Sequence, residues 1–325
     1  MKRIFIYLPI ILLVAFIGFF FWGSAGSLDS DQLDSKIVYH PNYKKSKDTL
    51  RVMTFNLGYL SGMTNNLPID RDEQLFEDNL QKTQSLLNTY SPDVIGFQEI
   101  DFAADRSFGY NQLDSLAQGY ATAYRSVNWD KTYVPFPYWP FSRHFGRMLS
   151  GQAILSKYEL TEIETITLEK PLNASFLYNR FYLDRLIQIV KLRLDSTEVI
   201  LMNVHLEAFD KETRLLHGKV VVDLFEKYAD RYPVLIIGDF NSEPDYLDDS
   251  DVMEMILSAN GIASAISQEN YEAKSTTTFP SSEPSKMIDY LLYNPKYLQV
   301  VESNVIQEAG EISDHLPVLS KFVLR

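Results

Sequence analysis

Short apolar segments recur along the chain from residue 50 onward, and few amphipathic helical segments lie between them. This pattern predicts an α/β sandwich of two sheets, because so few helices cannot cover both faces of one wide parallel sheet. No stretch of the sequence marks a boundary that divides residues 50–325 into two domains. The predicted strands are 50–56, 94–98, 120–126, 151–156, 160–168, 186–194, 198–206, 233–238, 287–293, 299–306 and 316–323. The predicted helices are 71–90, 211–230 and 246–259.

One of these strands ends in an unusual combination of residues. The apolar run 234–237 leads directly into Gly238, Asp239, Phe240 and Asn241. In an extended chain, side chains two residues apart lie on the same side, so Asp239 and Asn241 can face one point while Phe240 turns to the core. The alternative is an ordinary turn, in which Asp and Asn side chains bond to the nearby backbone.

An apolar strand with a polar or charged residue in it or at its end recurs elsewhere in the chain. Each case alone has an ordinary explanation, such as a cap, a turn or a hydrogen-bonded core histidine. A charged residue within an apolar strand is costly unless it is paired or binds a metal, so repeated cases favour one shared site. The residues concerned are Asn56, Glu99, Asn203, His205, Glu207, Asp289, Asp314 and His315.

The residue types in this set are those of a site that binds a hard metal ion. Carboxylate and amide oxygens prefer Mg²⁺, Mn²⁺ or Ca²⁺. The chain has no cysteine, which excludes zinc–thiolate sites, disulfides and thiol catalysis. Beside such an ion, a carboxylate can deprotonate water, while an amide and an imidazolium stabilise the charge that develops on a phosphoester. The sequence therefore favours metal-assisted phosphoester hydrolysis.

The net charge limits the kind of partner that the surface can bind. The formal net charge is −13 and the isoelectric point is about 4.9. Nonspecific binding to a nucleic acid backbone through lysine and arginine is therefore disfavoured. A phosphate-bearing substrate stays compatible with this charge, because a bound divalent cation supplies positive charge locally.

The N-terminal residues have the composition of a membrane anchor. Residues 4–22 carry no charge. A secretory signal core spans about 7–15 apolar residues and a membrane-spanning helix about 20, so the length favours an uncleaved anchor, with cleavage at 23–27 as the alternative. Lys2 and Arg3 precede the segment, which predicts a cytoplasmic N-terminus and a catalytic domain that is anchored outside the cytoplasm, or secreted if cleaved. The predicted organisation is a transmembrane anchor or signal peptide at 1–22, a polar tether at 23–48 and a catalytic domain at 49–325.

Six short motifs follow one another along the chain: TFN, DVIGFQE, NVHLE, GDFN, IDYLL and SDHLPV. This ordered set resembles the endonuclease/exonuclease/phosphatase superfamily, which includes type I deoxyribonucleases, neutral sphingomyelinases, abasic-site endonucleases and inositol-phosphate phosphatases. The resemblance covers about residues 50–325. It implies a four-layer α/β sandwich with two packed mixed β-sheets, as in deoxyribonuclease I.

The resemblance also implies roles for the residues within these motifs. Glu99 corresponds to the principal Mg²⁺ ligand, with Asn56 beside it and Asp314 near the metal. Asp239 corresponds to the residue that orients or deprotonates the attacking water, and Asn241 to the residue that holds the phosphate. Mn²⁺ or Ca²⁺ can replace Mg²⁺ at oxygen ligands of this kind.

Two histidines complete the implied site. His315 corresponds to the residue that contacts the scissile phosphate, and Asp289 would hold its ring in one tautomer. His205 stands where deoxyribonucleases and sphingomyelinases carry histidine and abasic-site endonucleases carry tyrosine, which argues against abasic-site repair.

The sequence constrains the substrate less closely. The stretch from Trp129 to Phe145 contains seven aromatic residues and three prolines. It predicts either a rim loop that engages the membrane or an apolar or ring-bearing substrate, or a proline-stiffened loop packed on the sandwich. The candidates for phosphate contact are Arg143, Arg147, Arg180 and Arg185.

Three functions are compatible with these features. The first is a monomeric, membrane-tethered or exported Mg²⁺-dependent phosphodiesterase or phosphatase that acts on a lipid headgroup or another small phosphoester. The second is a nuclease of the same superfamily that acts on DNA or RNA. The third is a catalytically inactive binding module, against which the intact Glu99, Asp239, Asn241 and His315 argue.

Overall fold

The structure of the chain, a computed structural model, describes residues 2–44, 49–195, 197–243, 251–271 and 275–325. The strands are β1 (Asp34–Val38), β2 (Thr49–Asn56), β3 (Val94–Asp101), β4 (Thr122–Val134), β5 (Gly146–Ser156), β6 (Glu159–Thr167), β7 (Leu186–Leu194), β8 (Thr197–His205), β9 (Val234–Asp239), β10 (Ala263–Ser264), β11 (Asp289–Tyr293), β12 (Leu298–Val305) and β13 (Val318–Leu324). The helices are α1 (Lys2–Ser24), α2 (Glu73–Tyr90), α3 (Gln112–Leu116), α4 (Phe176–Phe181), α5 (Lys211–Ala229) and α6 (Asp251–Ser258).

These strands form two mixed sheets that pack face to face. The larger sheet has the order β1-β4-β5-β3-β2-β13-β12, and the smaller has the order β10-β11-β9-β8-β7-β6. Within the described residues, each sheet contains one parallel pair, β2 with β3 and β8 with β9. A shared apolar core fills the space between the sheets, while α3 packs on β3 and α5 on β9 as outer layers. The predicted four-layer α/β sandwich is therefore confirmed.

All eleven predicted strands are present, and most of their ends differ from the prediction by a few residues. The largest difference is in β4, which is predicted over 120–126 but extends to Val134. The reason is that β5 begins at Gly146 and pairs antiparallel with β4, so the two strands form a long hairpin. The first residues of the aromatic stretch therefore belong to a strand.

The helices predicted over 71–90 and 211–230 are also present. The side chain of Asp72 caps the first turn of α2, as the sequence pattern of a helix start requires. For the third predicted helix, 246–259, the structure confirms α6, whereas residues 246–250 lie outside the described residues.

The structure adds two strands to those predicted, β1 and β10. β1 lies within the predicted polar tether 23–48 and pairs antiparallel with β4 at the edge of the larger sheet. Its side chains alternate between exposed and half-buried. Ile37 is the side chain of β1 that packs against the apolar core, and one such residue in a short edge strand is too little for an apolar pattern in the sequence.

α1 is the one helix among the described residues that is long and apolar enough to cross a membrane. The residues that follow it bind directly to β4. The backbone N–H groups of Ser27 and Leu28 donate to Asp130 Oδ2 at 2.7 and 2.8 Å. The Thr132 N–H donates to the Ala25 carbonyl at 2.8 Å. The first residues of the predicted tether therefore belong to the fold, and they hold the end of α1 against it.

The two sheets approach each other closely at Gly96 in β3. A Cβ atom at this position would lie 2.6 Å from Asn203 Oδ1 of β8 and 2.7 Å from Ile237 Cδ1 of β9. A Cβ atom at these distances would overlap both side chains and force them to shift, so the packing of the sheets favours glycine here.

Buried amide side chains join the sheets around Gly96. Gln98 Nε2 donates to Asn203 Oδ1 at 2.5 Å. Asn203 Nδ2 in turn donates to Gln188 Oε1 at 2.9 Å and to the Phe97 carbonyl at 3.1 Å. All three amide side chains are fully buried, and a satisfied buried network of this kind fixes one relative position of the packed strands. Asn203, a member of the predicted polar set, thus connects the two sheets.

We expect Gly96→Ala to destabilise the fold, because the added methyl group has no free volume between the sheets. Overpacking a buried position typically costs about 1–3 kcal/mol in the free energy of unfolding, which urea unfolding of the detergent-solubilised protein measures. Gly18→Ala is the matched control, since a Cβ atom there meets nothing within 4 Å. Equal stability of the two variants would contradict the close packing at Gly96.

Candidate active site

The polar strand ends predicted from the sequence meet at one edge of the sandwich. Asn56, His205 and Asp239 are the last residues of β2, β8 and β9. Asp289 is the first residue of β11 and pairs with Asp239, because β11 runs antiparallel to β9. Parallel strands end at the same edge of a sheet, and face-to-face packing brings the edges of both sheets together. The structure thus gathers these residues into one cluster.

Glu99 enters this cluster from a β-bulge. The register of β3 against β5 shifts between Phe97 and Ile100, and Glu99 has a left-handed backbone with φ +49°. This conformation is strained for a residue with a side chain, and bulges beside active sites commonly re-aim a side chain in this way. Glu99 Oε1 lies 3.8 Å from His205 Nε2.

Glu99 and Asp314 share one hydrogen-bond donor. Asn65 Nδ2 lies 3.0 Å from Glu99 Oε2 and 3.3 Å from Asp314 Oδ2. Burial raises the pKa of Glu99, and the negative charge of Asp314 raises it further. The positive charges of His315 and Arg185 act on Glu99 in the opposite direction. Carboxylate and amide oxygens are the ligands that a hard divalent cation prefers. The donor set therefore fits a hard metal ion.

Asp239 is buried at the centre of the cluster. Its carboxylate accepts hydrogen bonds from Asn56 Nδ2 at 2.9 Å and from the Asn241 backbone N–H at 2.8 Å. Burial raises the pKa of Asp239 above its usual range, while the positive charge of His315 acts in the opposite direction. A carboxylate whose pKa is raised toward neutrality is a better base for water than an exposed one.

The turn after β9 depends on its glycine. Gly238 has φ +144°, and a Cβ atom there would lie 2.0 Å from the Val204 carbonyl oxygen of the neighbouring strand. Phe240 is fully buried, as predicted. Asn241 has φ +50° rather than the extended backbone predicted, and its Nδ2 donates to the Leu206 carbonyl at 3.1 Å. The turn after β9 therefore holds the side-chain amide of Asn241 beside the cluster.

His315 lies between two carboxylates. Its Nδ1 is 2.9 Å from Asp289 Oδ2, and its Nε2 is 3.9 Å from Asp239 Oδ2. Burial lowers the pKa of His315, but the charges of Asp289 and Asp239 outweigh burial and hold the pKa well above its usual range. The ring is therefore an imidazolium whose Nδ1–H is donated to Asp289.

Arg185 and His205 also lie beside Asp239. The buried Arg185 guanidinium donates to His205 Nε2, and this nitrogen is 3.5 Å from Asp239 Oδ2. Burial, and then the charge of Arg185, lower the pKa of His205 well below its usual value, so its ring is neutral. Arg185 Nε lies 3.8 Å from Glu207 Oε2. The cluster thus contains a buried guanidinium, a group that pairs strongly with phosphate oxygens.

Of the four arginines predicted for phosphate contact, the structure brings Arg185 into the cluster. Arg143 forms an ion pair with Asp70, and the Arg180 side chain donates to Ser24 Oγ. Arg147 is exposed, and its backbone N–H donates to Asp105. A role for these three arginines in phosphate binding stays a prediction.

Asn65 is the member of the cluster that sequence reasoning missed. It lies between β2 and α2, in a segment without the period of a strand or a helix. No local pattern therefore distinguishes it from other polar loop residues.

Two places in the cluster have donor atoms close enough to share a cation. One is the pair Glu99 and Asp314. The other is the group Asp239, Asp289 and His315, whose ligand atoms all lie within 4.8 Å of one another. In the second group His315 already places a positive charge beside both carboxylates, whereas the neutral Asn65 amide joins Glu99 and Asp314, so we take this pair as the candidate metal site.

This combination of two packed mixed sheets and a buried group of carboxylates, amides and imidazoles defines a metal-dependent phosphohydrolase. Residues 53–315 match the model of the Endonuclease/Exonuclease/phosphatase family. The chain therefore belongs to this family, whose members are metal-dependent hydrolases, and the resemblance seen in the six motifs is confirmed. Among curated proteins, no sequence matches this chain.

Solved structures share the fold at low sequence identity. An endonuclease/exonuclease/phosphatase from Beutenbergia cavernae has a TM-score of 0.62 and 18% identity, over 86% of this chain and 72% of its own. The human Nocturnin catalytic domain with bound sulfate has a TM-score of 0.58 and 16% identity, over 90% and 98%. D. rerio TDP2 complexed with a single-strand DNA product has a TM-score of 0.59 and 15% identity, over 85% and 99%.

We expect a divalent cation to stabilise the folded protein through Glu99 and Asp314. A ligand that binds only the folded state adds about 2.7 kcal/mol to the free energy of unfolding at 100 times its Kd, so the Tm should rise with Mg²⁺ concentration. Glu99→Gln should abolish most of this rise in scanning fluorimetry.

The matched control for this measurement is Glu159→Gln, which alters a carboxylate paired with Arg193 on the outer strands of the smaller sheet. This variant should keep the Mg²⁺-dependent rise in Tm. A rise that persists unchanged in Glu99→Gln would contradict the assignment of the metal to the Glu99 and Asp314 pair.

Proposed function

We propose that this chain is a Mg²⁺-dependent hydrolase of phosphoester or phosphodiester bonds. Mn²⁺ or Ca²⁺ can replace Mg²⁺ at its metal site. The observation that carries the proposal is the buried Asp239 carboxylate, which Asn56 and Asn241 hold 3.9 Å from His315 Nε2. A base with a raised pKa beside a cationic acid, next to a carboxylate pair that fits a metal, is suited to phosphoester hydrolysis.

Glu99 and Asp314 would hold the metal, with Asn56 beside them. A bound ion would polarise a phosphate oxygen and lower the pKa of a water molecule bound to the metal. Asn65 donates to both carboxylates and would orient them, as groups behind metal ligands do.

The protein residues divide the chemical step between them. Asp239 accepts a proton from the attacking water, whose oxygen forms a bond to phosphorus while the bond from phosphorus to the leaving oxygen breaks. His315 is oriented by Asp289 and gives the leaving oxygen its proton from Nε2. One N–H of the Asn241 side chain goes to Leu206, and the other can hold a phosphate oxygen.

A nuclease would use the same residues and is the alternative within this chemistry. The TDP2 structure with a single-strand DNA product has the same fold, so the fold is compatible with a nucleic acid substrate. The net charge of −13 supports a small or lipid-borne phosphoester over a nucleic acid backbone. An inactive binding module is disfavoured, because it would have no use for a complete set of acid, base and metal ligands.

We further propose that α1 anchors the protein in a membrane, with the site outside the cytoplasm. α1 has 23 residues, and at about 1.5 Å per residue this length crosses a hydrocarbon core of about 30 Å. Lys2 and Arg3 before the apolar segment favour a cytoplasmic N-terminus. Cleavage within 23–27 would instead give an exported enzyme.

Asp239→Asn and His315→Ala should each abolish turnover of a soluble phosphodiester with an alkyl leaving group, whose oxygen needs a proton to leave. Loss of a general base or acid typically lowers kcat about 10²–10⁴-fold. Asp230→Asn is the control, because the Asp230 side chain is 99% exposed. Circular dichroism checks that each variant keeps its fold. Wild-type turnover in either of the first two variants would overturn the role given to that residue.

EDTA should inactivate the enzyme, and added Mg²⁺ should restore its activity. The physical reason is that, without a cation, the negative carboxylates of Glu99 and Asp314 repel the phosphate oxygens of the substrate. Glu99→Gln should require a higher Mg²⁺ concentration for half-maximal rate. Full activity in excess chelator would exclude the metal mechanism.

A further inference from the structure

A second recess lies beside the candidate active site and is almost entirely apolar. Its volume is about 510 Å³, within the range of small-molecule sites. In the part of the chain that the structure describes, its lining has one amide side chain, Asn66, and no charged side chain. We call it the apolar pocket and define it by Phe16, Phe20, Trp129, Phe145, Leu177 and Phe209.

The apolar pocket borders the residues that would hold the metal and the phosphate. Asn66 lines the pocket, and the preceding residue, Asn65, donates to Glu99 at 3.0 Å. Phe209 also lines the pocket, and its backbone N–H donates to Glu207 Oε1 at 3.0 Å. Tyr182, another lining residue, lies close enough to Arg185 and Glu99 to feel their charges. The pocket and the carboxylate cluster are therefore neighbours.

The helix proposed to span the membrane forms one wall of the apolar pocket. Phe20 of α1 stacks on Phe176 of α4, with ring centroids 4.7 Å apart. Phe16 and Phe20 lie about 6 to 12 Å before the end of α1 at Ser24, at about 1.5 Å per residue. In a bilayer spanned by α1, this wall lies at the depth of the lipid chains.

The rim of the pocket and its floor differ in exposure. Phe209 and Tyr138, which line the pocket, are 79% and 74% exposed, and the adjacent Trp139 is 73% exposed. Trp129 and Phe145 are buried beneath them. Exposed aromatic side chains beside a spanning helix are typical of the membrane–water interface, so the pocket opens toward the bilayer.

We propose that the apolar pocket holds a hydrocarbon chain of a membrane phospholipid whose phosphoester group lies at Glu99, Asp239 and His315. The inference rests on the hydrolase function proposed above and names its substrate class, a phospholipid drawn from the bilayer in which α1 is anchored. Among the described residues, the polar side chains of the lining are the amide of Asn66, the indole of Trp129 and the tyrosines Tyr138, Tyr178 and Tyr182, and none of the lining side chains is charged. The remaining surface is apolar and removes a hydrocarbon chain from water.

The first test measures entry of a lipid chain without relying on hydrolysis. Trp129 lines the pocket and is the tryptophan that remains in the full chain after Trp22→Phe and Trp139→Phe. This protein is reconstituted in phosphatidylcholine vesicles with or without bromine atoms on the lipid chains. Brominated chains should quench the Trp129 fluorescence, because quenching requires contact between bromine and the indole ring.

Leu177→Asp separates pocket binding from general contact with the membrane. Leu177 lines the pocket and is 43% exposed, so a carboxylate there stays compatible with folding but disfavours a hydrocarbon chain. Quenching of Trp129 should be lost in this variant. Val301→Asp makes the same change at a 55% exposed position in β12 and should leave quenching intact. An unquenched Trp129, or equal quenching in Leu177→Asp, would overturn the inference.

The second test compares two substrates in the presence of Mg²⁺. One is a mixture of long-chain phosphatidylcholine, phosphatidylethanolamine and phosphatidylglycerol in vesicles, with products identified by mass spectrometry, and the other is bis(p-nitrophenyl) phosphate in solution. Leu177→Asp should lower kcat/KM for the phospholipid about 10–200-fold, the effect of disturbing an apolar substrate pocket. Val301→Asp, which lies outside the pocket, should leave the turnover of both substrates unchanged.

The outcomes distinguish the two proposals. Hydrolysis of the soluble phosphodiester but of no phospholipid would overturn the substrate class and support the hydrolase function. Hydrolysis of neither would overturn the hydrolase function, and the quenching of Trp129 would then decide by itself whether the pocket binds a lipid chain.

Discussion

The contact between the two sheets at Gly96 is the constraint on which the site depends. At this point β3 lies against β8 and β9, with no room for a side chain between them. The bond between Gln98 and Asn203 then fixes their relative position. Because β2 and β3 are parallel neighbours, as are β8 and β9, the ends of four strands meet at one edge. A register shift of one residue in any of these strands would turn the polar end of that strand away from the others.

The edge at which β2, β3, β8 and β9 meet concentrates negative charge. The groups that face each carboxylate differ between the two halves of the site. Asp239 and Asp289 face the imidazolium of His315. Glu99 and Asp314 face a neutral amide. The first pair has a cationic ring in direct contact, whereas the second pair shares a neutral amide donor and is the pair that we propose as the metal site. This asymmetry separates a half suited to proton transfer from a half suited to metal binding.

The aromatic stretch from Trp129 to Phe145 has features of both structures predicted from the sequence, the packed loop and the rim loop. Trp129 and Phe145 pack into the fold, as a stiffened loop would, whereas Tyr138 and Trp139 are exposed, as a rim loop would be. The buried part meets the end of α1, and together they enclose the apolar pocket. The segment proposed to anchor the protein and the segment proposed to choose its substrate therefore share one surface.

The sequence by itself determined the strands, the main helices and the polar strand ends, because periodicity and apolar runs are local properties of a chain. Only the tertiary structure decided that Asn65 donates to both Glu99 and Asp314. Asn65 and Asp314 are 249 residues apart in the chain. It likewise decided that Arg185 rather than Arg143 lies in the cluster. The physical reason is that such contacts depend on sheet packing and on a bulge at Glu99, neither of which local periodicity encodes.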